Sequence, residues 1–248
     1  MEHFNWKFEN KPLEIVALGD IHLGSSHCEV EFLKSIVKKI KRKKCKVILL
    51  GDLLDCGLKE SPGASVYEQS MSPKQQIEEI VKILKPIAPQ ILSSNIGNHC
   101  MRITNSTSLD VMQIICDNLK INNGKYQTIN TIQCGKEIYQ IFSIHGHSNA
   151  MTTEGRINAF KKYMDIVECD ITLGGHCHDL AHRVWSKRMV TPNGIMQKDT
   201  HLVLCGNMLG YENSYAEYQG LPLLECGCPL IKIFPNSHKI EVDLEWFK

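Results

Sequence analysis

The sequence predicts an α/β fold in which two sheets pack face to face with helices outside them. Three observations lead there. The first half alternates short apolar runs with stretches of helical periodicity. From about residue 125 onward the chain becomes a series of extended segments, and the early apolar runs end in Gly-Asp or Gly-Asn. Repeated strand–helix units followed by strand-rich sequence bury their apolar faces best as layers, with sheets inside and helices outside.

Taken in order, residues 14–18 are a short apolar run that stops at Gly19-Asp20, as a buried strand does when it opens into a functional loop. Residues 29–42 follow, with Val30, Leu33, Ile36, Val37 and Ile40 on one helical face. Residues 47–50 are a second buried strand, again stopping at Gly-Asp. Residues 74–84 repeat the helical spacing through Ile77, Ile80, Val81 and Leu84, and Pro86 ends them. A third strand is expected over 90–96 and a helix over 109–119. Extended segments are expected at 126–134, 137–144, 169–173, 202–205, 230–234 and 239–244, with a helix over 156–164. Gly124 and Gly135 read as turns between such segments. No linker, low-complexity tract or internal repeat interrupts the chain, so residues 1–248 read as one domain.

Composition narrows the function classes. A chain of 248 residues can bury a full core without disulfide or metal staples. A formal charge of +1 creates no overall field for nucleic acid, membranes or acidic partners, which leaves only local patches. The eleven Cys are scattered through apolar stretches with no CxxC pair, so a zinc-finger reading lacks its spacing. They read as reduced, buried small hydrophobes of a cytoplasmic protein. Residues 1–11 are mixed polar and aromatic with no apolar signal core, and no run approaches a membrane span.

Chemistry gathers where the strands end. Five clusters occur in order: Asp20-Ile21-His22, Gly51-Asp52-Leu53-Leu54-Asp55, Gly97-Asn98-His99, His145-Gly146-His147 and Gly175-His176-Cys177-His178. Carboxylate, imidazole and amide oxygen together suit borderline divalent cations such as manganese, iron and zinc. In α/β sheets, ligand sites lie outside the carboxyl ends of the strands, where these clusters fall. Each alone is a weak signal; five in this order, each closing an apolar run, form a strong one.

In sequence the motifs DxH, GDxxD, GNH, H and GHxH resemble those of the calcineurin-like metallophosphoesterase superfamily, from Asp20 to His178. The chain is also similar to compact phage and bacterial phosphoesterases and, more distantly, to Mre11-type nucleases. This resemblance implies a four-layer α/β/β/α sandwich with two mixed sheets flanked by helices. It implies two divalent metal ions, manganese first, with iron, zinc or nickel as the other candidates. Asp20, His22, Asp52 and His178 would hold one metal. Asn98, His145 and His176 would hold the other, with Asp52 bridging both and a hydroxide between them as nucleophile. His99 resembles the catalytic imidazole that faces the phosphate, and Asp55 would fix a loop or a ligand histidine. The family pattern has Asp or Glu after Asn-His, whereas position 100 here is Cys, a departure expected to alter His99. Cys177 is expected to be a spacer pointing away from the metals.

Three further residues are read as substrate contacts. Arg102, three residues past His99, could clamp a phosphate, or else form a surface ion pair. His147 is read as a substrate contact or a packing residue. Tyr215, within the aromatic and acidic segment 211–218, could stack a base or serve an oligomer contact. Residues 38–46 carry seven basic groups in nine positions. They read as a solvated helix end complementing its dipole, or else as a phosphate-contacting patch for nucleic acid; a position at the edge opposite the catalytic loops argues for the first.

The expected function is therefore hydrolysis of a phosphodiester, with a nucleotide or single-stranded nucleic acid as substrate and no membrane partner. A phosphomonoesterase and a non-catalytic interaction module on the same fold are the alternatives.

Overall fold

The computed structural model describes residues 1–59, 61, 66–192 and 194–248. The first half runs β1 (Glu2–Phe8), β2 (Leu13–Leu18), α1 (Val30–Lys43), β3 (Lys46–Leu49), α2 (Pro73–Leu84), β4 (Ile91–Ser94), α3 (Asn98–Thr107) and α4 (Val111–Leu119). The second half runs β5 (Gln127–Cys134), β6 (Glu137–Ile144), α5 (Thr153–Met164), β7 (Ile171–Gly174), β8 (Leu180–Thr191), β9 (Gly194–Cys205), α6 (Tyr215–Tyr218), β10 (Cys228–Ile233) and β11 (Ile240–Phe247). One sheet has the order β11-β10-β2-β3-β4 and the other β1-β5-β6-β7-β9-β8. Both are mixed, as expected. β2, β3 and β4 are parallel while β10 and β11 run against them, and β6, β7 and β9 are parallel beside antiparallel β5 and β8.

Alternation along β2 explains the layers. Ile15 and Ala17 point into the space between the sheets, where Ile48, Leu50, Ile141, Ile171, Leu173 and Val203 meet them. Val16 and Leu18 point the other way and pack on Leu33, Ile36 and Ile40 of α1 and Ile80 and Leu84 of α2. A strand buried on both faces reads as a continuous apolar run, which is why β2 was legible without an alternating pattern. On the far side, Ile157 and Phe160 of α5 cover Ala181, Leu202 and Leu204. Helix, sheet, sheet and helix thus form the four layers. Ser72 caps α2 through a reciprocal bond pair with Gln75.

The structure adds elements that the pattern did not reveal. Residues 2–8 form a strand whose alternate residues are half-buried; its Trp6 and Phe8 pack on the inter-sheet core. The segment after 96 is not a plain loop but helix α3. The strand expected at 202–205 begins at Gly194 and pairs with β8 in an unbroken register from Leu180–Cys205 to Thr191–Gly194. Only residues 201–204 of β9 also pair with β7, so the outer part of this hairpin projects as a two-stranded arm. No helix among the described residues is long and apolar enough to cross a membrane.

Six parallel strand ends matter for function: those of β2, β3 and β4 in one sheet and of β6, β7 and β9 in the other. The chemistry-bearing loops leave from these ends.

Candidate metal centre

Backbone bonds join the first two loops before any side chain is considered. Asp20 N–H donates to Gly51 O at 3.1 Å, and the N–H groups of Ile21 and His22 both donate to Asp52 O at 2.9 Å. Asp20, His22, Asp52, His176 and His178 all have left-handed φ, between 46° and 65°. That conformation costs about 1–3 kcal/mol for a residue with a side chain and persists only where the surroundings enforce it. Its concentration on five of the seven expected ligands marks a built site.

The side chains converge in two groups. In the first, Asp20 Oδ1 lies 3.5 Å from His178 Nε2 and 3.8 Å from His22 Nε2, and the two Nε2 atoms are 3.0 Å apart. In the second, His145 Nε2 lies 3.1 Å from Asp52 Oδ2 and 2.9 Å from Asn98 Oδ1, which is itself 2.8 Å from His176 Nδ1. Donor atoms held about 2.1 Å from one ion stand about 3.0–3.4 Å from each other, and the observed spacings of 2.8–3.8 Å bracket that range.

Proton bookkeeping supports the same conclusion. His145 Nδ1–H donates to Leu50 O at 2.8 Å, which turns its Nε2 lone pair toward Asp52 and Asn98. Asp52 accepts His99 N–H on Oδ1 at 2.8 Å, leaving Oδ2 for the same point. Asp20 accepts His176 N–H, with Oδ2 at 2.8 Å, and also the Cys205 thiol at 3.3 Å. Three electron-rich atoms aimed at one another repel unless a proton or a metal cation sits among them. Burial works against charge on His22, yet bonds from Asp20 and Asp55 raise its pKa to about 10. Burial likewise opposes charge on His145, and Asp52 raises it to about 9. Burial depresses His176 and His178 to about 4, so both are neutral ligands at ordinary pH. The pocket draws positive charge, which a divalent ion in each group could supply in place of protons. The residues fit two such ions.

Beside the two donor groups stands His99, on the first turn of α3. Its Nδ1–H donates to Asp55 O at 2.8 Å, and Asp55 Oδ1 lies 3.1 Å from the same nitrogen and 3.1 Å from His22 Nδ1. Asp55 therefore ties a metal-group histidine to the one beside it. Bonds from His22, His99 and Gln69 hold the Asp55 carboxyl far below the usual carboxylate range despite burial. Arg102 lies against the His99 ring, Nη1 at 3.0 Å from Nδ1 and Nη2 at 3.1 Å from Nε2. The guanidinium is therefore held at the site by His99 and by Asp55 O at 3.3 Å. The exposed His147 sits at the rim with its ring 4.7 Å from that of His176. Tyr215 is half-exposed on α6; among the described residues no hydrogen bond or ring contact joins it to the metal groups. Cys177 packs under α5 with Ile157 and Phe160, away from the metals as expected. Cys100 is fully buried in the core of the helical layer and bonds toward Cys56 rather than His99.

Two supports escaped the sequence reading. Asn207 Nδ2 donates to His178 O at 2.8 Å. It follows Gly206 at the end of an apolar run, the same signal that marked Gly97-Asn98. Arg156, on α5, donates to Asp179 at 3.0 Å and to Ala150 O at 3.1 Å, and both members of that ion pair are buried. One guanidinium thereby ties the loop carrying His147 to the loop carrying His178. Nothing in the spacing of Arg156 announced this.

The profile of the calcineurin-like phosphoesterase family matches residues 13–206. No curated protein matches the chain in sequence. Solved structures similar to it include Vacuolar Protein Sorting 29 from Cryptosporidium parvum, at 14% identity and TM-score 0.48, covering 94% of this chain and 96% of the other. The zinc complex of Vps29 from Entamoeba histolytica is similar at 13% identity and TM-score 0.42, covering 93% and 97%. A phosphoesterase predicted from its sequence in Streptococcus pneumoniae gives 11% identity and TM-score 0.40, covering 93% and 88%.

Proposed function

The chain belongs to the calcineurin-like phosphoesterase family, and from that membership we propose that it hydrolyses a phosphodiester at two divalent metal ions, manganese first. The observation that carries this reading is the pair of donor groups whose lone pairs meet at 2.8–3.8 Å. Asp20, His22 and His178 would hold one ion. Asn98, His145 and His176 would hold the other, and Asp52, beside the second group, would bridge to the first. When bound, the ions supply Lewis-acid charge to the phosphoryl oxygens and make a water acidic enough to attack near neutral pH.

The chain's own groups would do the rest. The first turn of α3 offers its positive dipole end to an anion, and His99 is fixed there by Asp55. Arg102 would clamp a phosphoryl oxygen, and His99 would give a proton to the leaving oxygen as its bond to phosphorus breaks. A single guanidinium and the exposed His147 at the rim suit a monoanionic diester better than a dianionic monoester. A nucleotide or a short single strand, with its flanking groups lying in solvent past His147, is the substrate class this rim favours.

The test is a screen under manganese with bis-p-nitrophenyl phosphate, p-nitrophenyl phosphate and a single-stranded oligonucleotide, repeated with Asp52→Asn. Diester turnover with a higher kcat/KM than monoester turnover is expected. The variant should lose metal in elemental analysis and lose hydrolysis while its circular dichroism is retained. Near-normal turnover with two ions bound would end the bridging role, and a monoester preference would overturn the substrate class.

A further inference from the structure

A second surface lies on the outer helical layer, away from the metals. α1 and α2 each follow a strand of the same parallel set, so they run back along the sheet and end at the edge opposite the metal loops. Between their C-terminal halves lies a groove of about 410 Å³. Its floor is apolar, formed by Val37 and Ile83, which belong to the core beneath. Its rim is formed by Lys34, Lys38, Lys41 and Lys82, with Glu79 the one acidic group among them, paired to Lys82.

The charges on this rim are not balanced from within. Lys34 pairs with Glu31 at 2.7 Å and Lys82 with Glu79 at 3.1 Å. Lys38 and Lys41 have no ion pair among the described residues. Lys34, Lys38 and Lys41 stand four and three residues apart on one helix face, where like charges destabilise a helix. Residues 34–46 hold eight basic and no acidic residues; against a chain total of +1, the rest of the molecule carries −7. Helix-dipole compensation explains Lys41, Arg42 and Lys43 in the last turn, but not Lys34 and Lys38 further up.

We propose that this groove docks an acidic amphipathic segment of a partner protein, its apolar side chains on Val37 and Ile83 and its carboxylates on Lys38 and Lys41. Charge complementarity at the rim and the apolar floor select that chemistry together, in the helix-in-groove manner. Nucleic acid fits less well. Its backbone has nothing apolar to bury on the floor.

The probe is a fluorescent peptide of about 15 residues with Leu and Glu at helical spacing, followed by anisotropy at physiological salt. Its control replaces every Leu with Ser, and a single-stranded oligonucleotide is run beside it. The Leu/Glu peptide is expected to bind, the Ser control at least ~10-fold more weakly, and the Lys38→Glu, Lys41→Glu double variant at least ~10-fold more weakly again. Both lysines are on the surface of α1, so thermal melting of the variant should match the parent, as should its phosphoesterase rate. Absent peptide binding, equal binding by the variant, or equal binding of the Ser control would overturn the proposal. Preferred binding of the oligonucleotide would reassign the patch to nucleic acid.

Discussion

His99 owes its setting to three neighbours: Asp55 on Nδ1, Arg102 against both ring nitrogens, and Asp52, which accepts the His99 backbone N–H. With His22 and Asp55 it forms a third close cluster of donor atoms, beside the group of Asp20, His22 and His178 and that of Asp52, His145 and His176. But the His99 nitrogen turned there, Nδ1, already donates its proton to Asp55 O, so it offers no lone pair to an ion. Chemistry and metal binding should therefore separate. His99→Ala is expected to keep both ions by elemental analysis and to lower kcat by about 10²–10⁴-fold, the usual range for a positioned acid or base. Loss of the ions in that variant would make His99 structural. The donor residues themselves were legible because carboxylate, amide and imidazole beside glycine at strand ends are a chemical signature. Cys100 stands where the family pattern has a carboxylate, and its surroundings give a physical reason for the departure. The support that the family's carboxylate would give His99 comes here from Asp55, and position 100 faces an apolar core where a charge would be costly. Arg156 was not legible at all, since an arginine on a helix gives no sign in sequence that it is buried against Asp179.

At the scale of elements, runs buried on one or both faces were legible, whereas the exposed outer hairpin and β1 were not. β2 and β3 announced themselves as apolar runs, whereas the outer half of the β8–β9 hairpin is mostly exposed and leaves no such trace. α3 was hidden because its first turn is occupied by Asn98 and His99, residues chosen for chemistry rather than helix propensity. Its N-cap, Gly97, has ordinary extended φ and ψ of −103° and 171°, so conformational freedom is not the reason for glycine there. Close approach is: a Cβ at 97 would stand 2.1 Å from Asp52 Oδ1 and 2.3 Å from Asp52 N. Gly97→Ala must push α3 and the Asp52 loop apart. Urea denaturation should report a loss of about 1–3 kcal/mol, as for overpacked sites, together with reduced metal content. Wild-type stability and metal occupancy in that variant would mean that the two loops can slide past one another freely.

At the scale of the whole molecule, the metal groups exist only when both sheets are assembled, because Asp20 and Asp52 come from one and His145, His176 and His178 from the other. Unfolding should therefore release the ions, and stability should carry their pH dependence. A second titrating pair allows the protein's own contribution to be separated from that of the metals. His182 Nε2 and His201 Nδ1 lie 3.0 Å apart where the β8–β9 arm leaves the body of the sheet. Burial, and then the neighbouring imidazole, push His182 down to about 4; burial pushes His201 down, against the opposing pull of Asp199 and Asp170. A histidine whose folded pKa lies below its unfolded value binds its proton first in the unfolded chain. Its penalty is absent above about pH 6.5 and grows as pH falls toward 4, where it levels off. Each unit of difference corresponds to about 1.4 kcal/mol, and partial solvent access reduces the loss from His182 to the order of 1–2 kcal/mol. Urea midpoints of the parent and His182→Gln at pH 7.5 and pH 5, with metal content matched, isolate this pair from the metal ligands, which titrate alike in both. The parent is expected to lose more stability than the variant on going to pH 5. Equal losses would mean that the pair accepts a proton in the folded state as readily as outside it, and that acid sensitivity belongs to the metal centre alone.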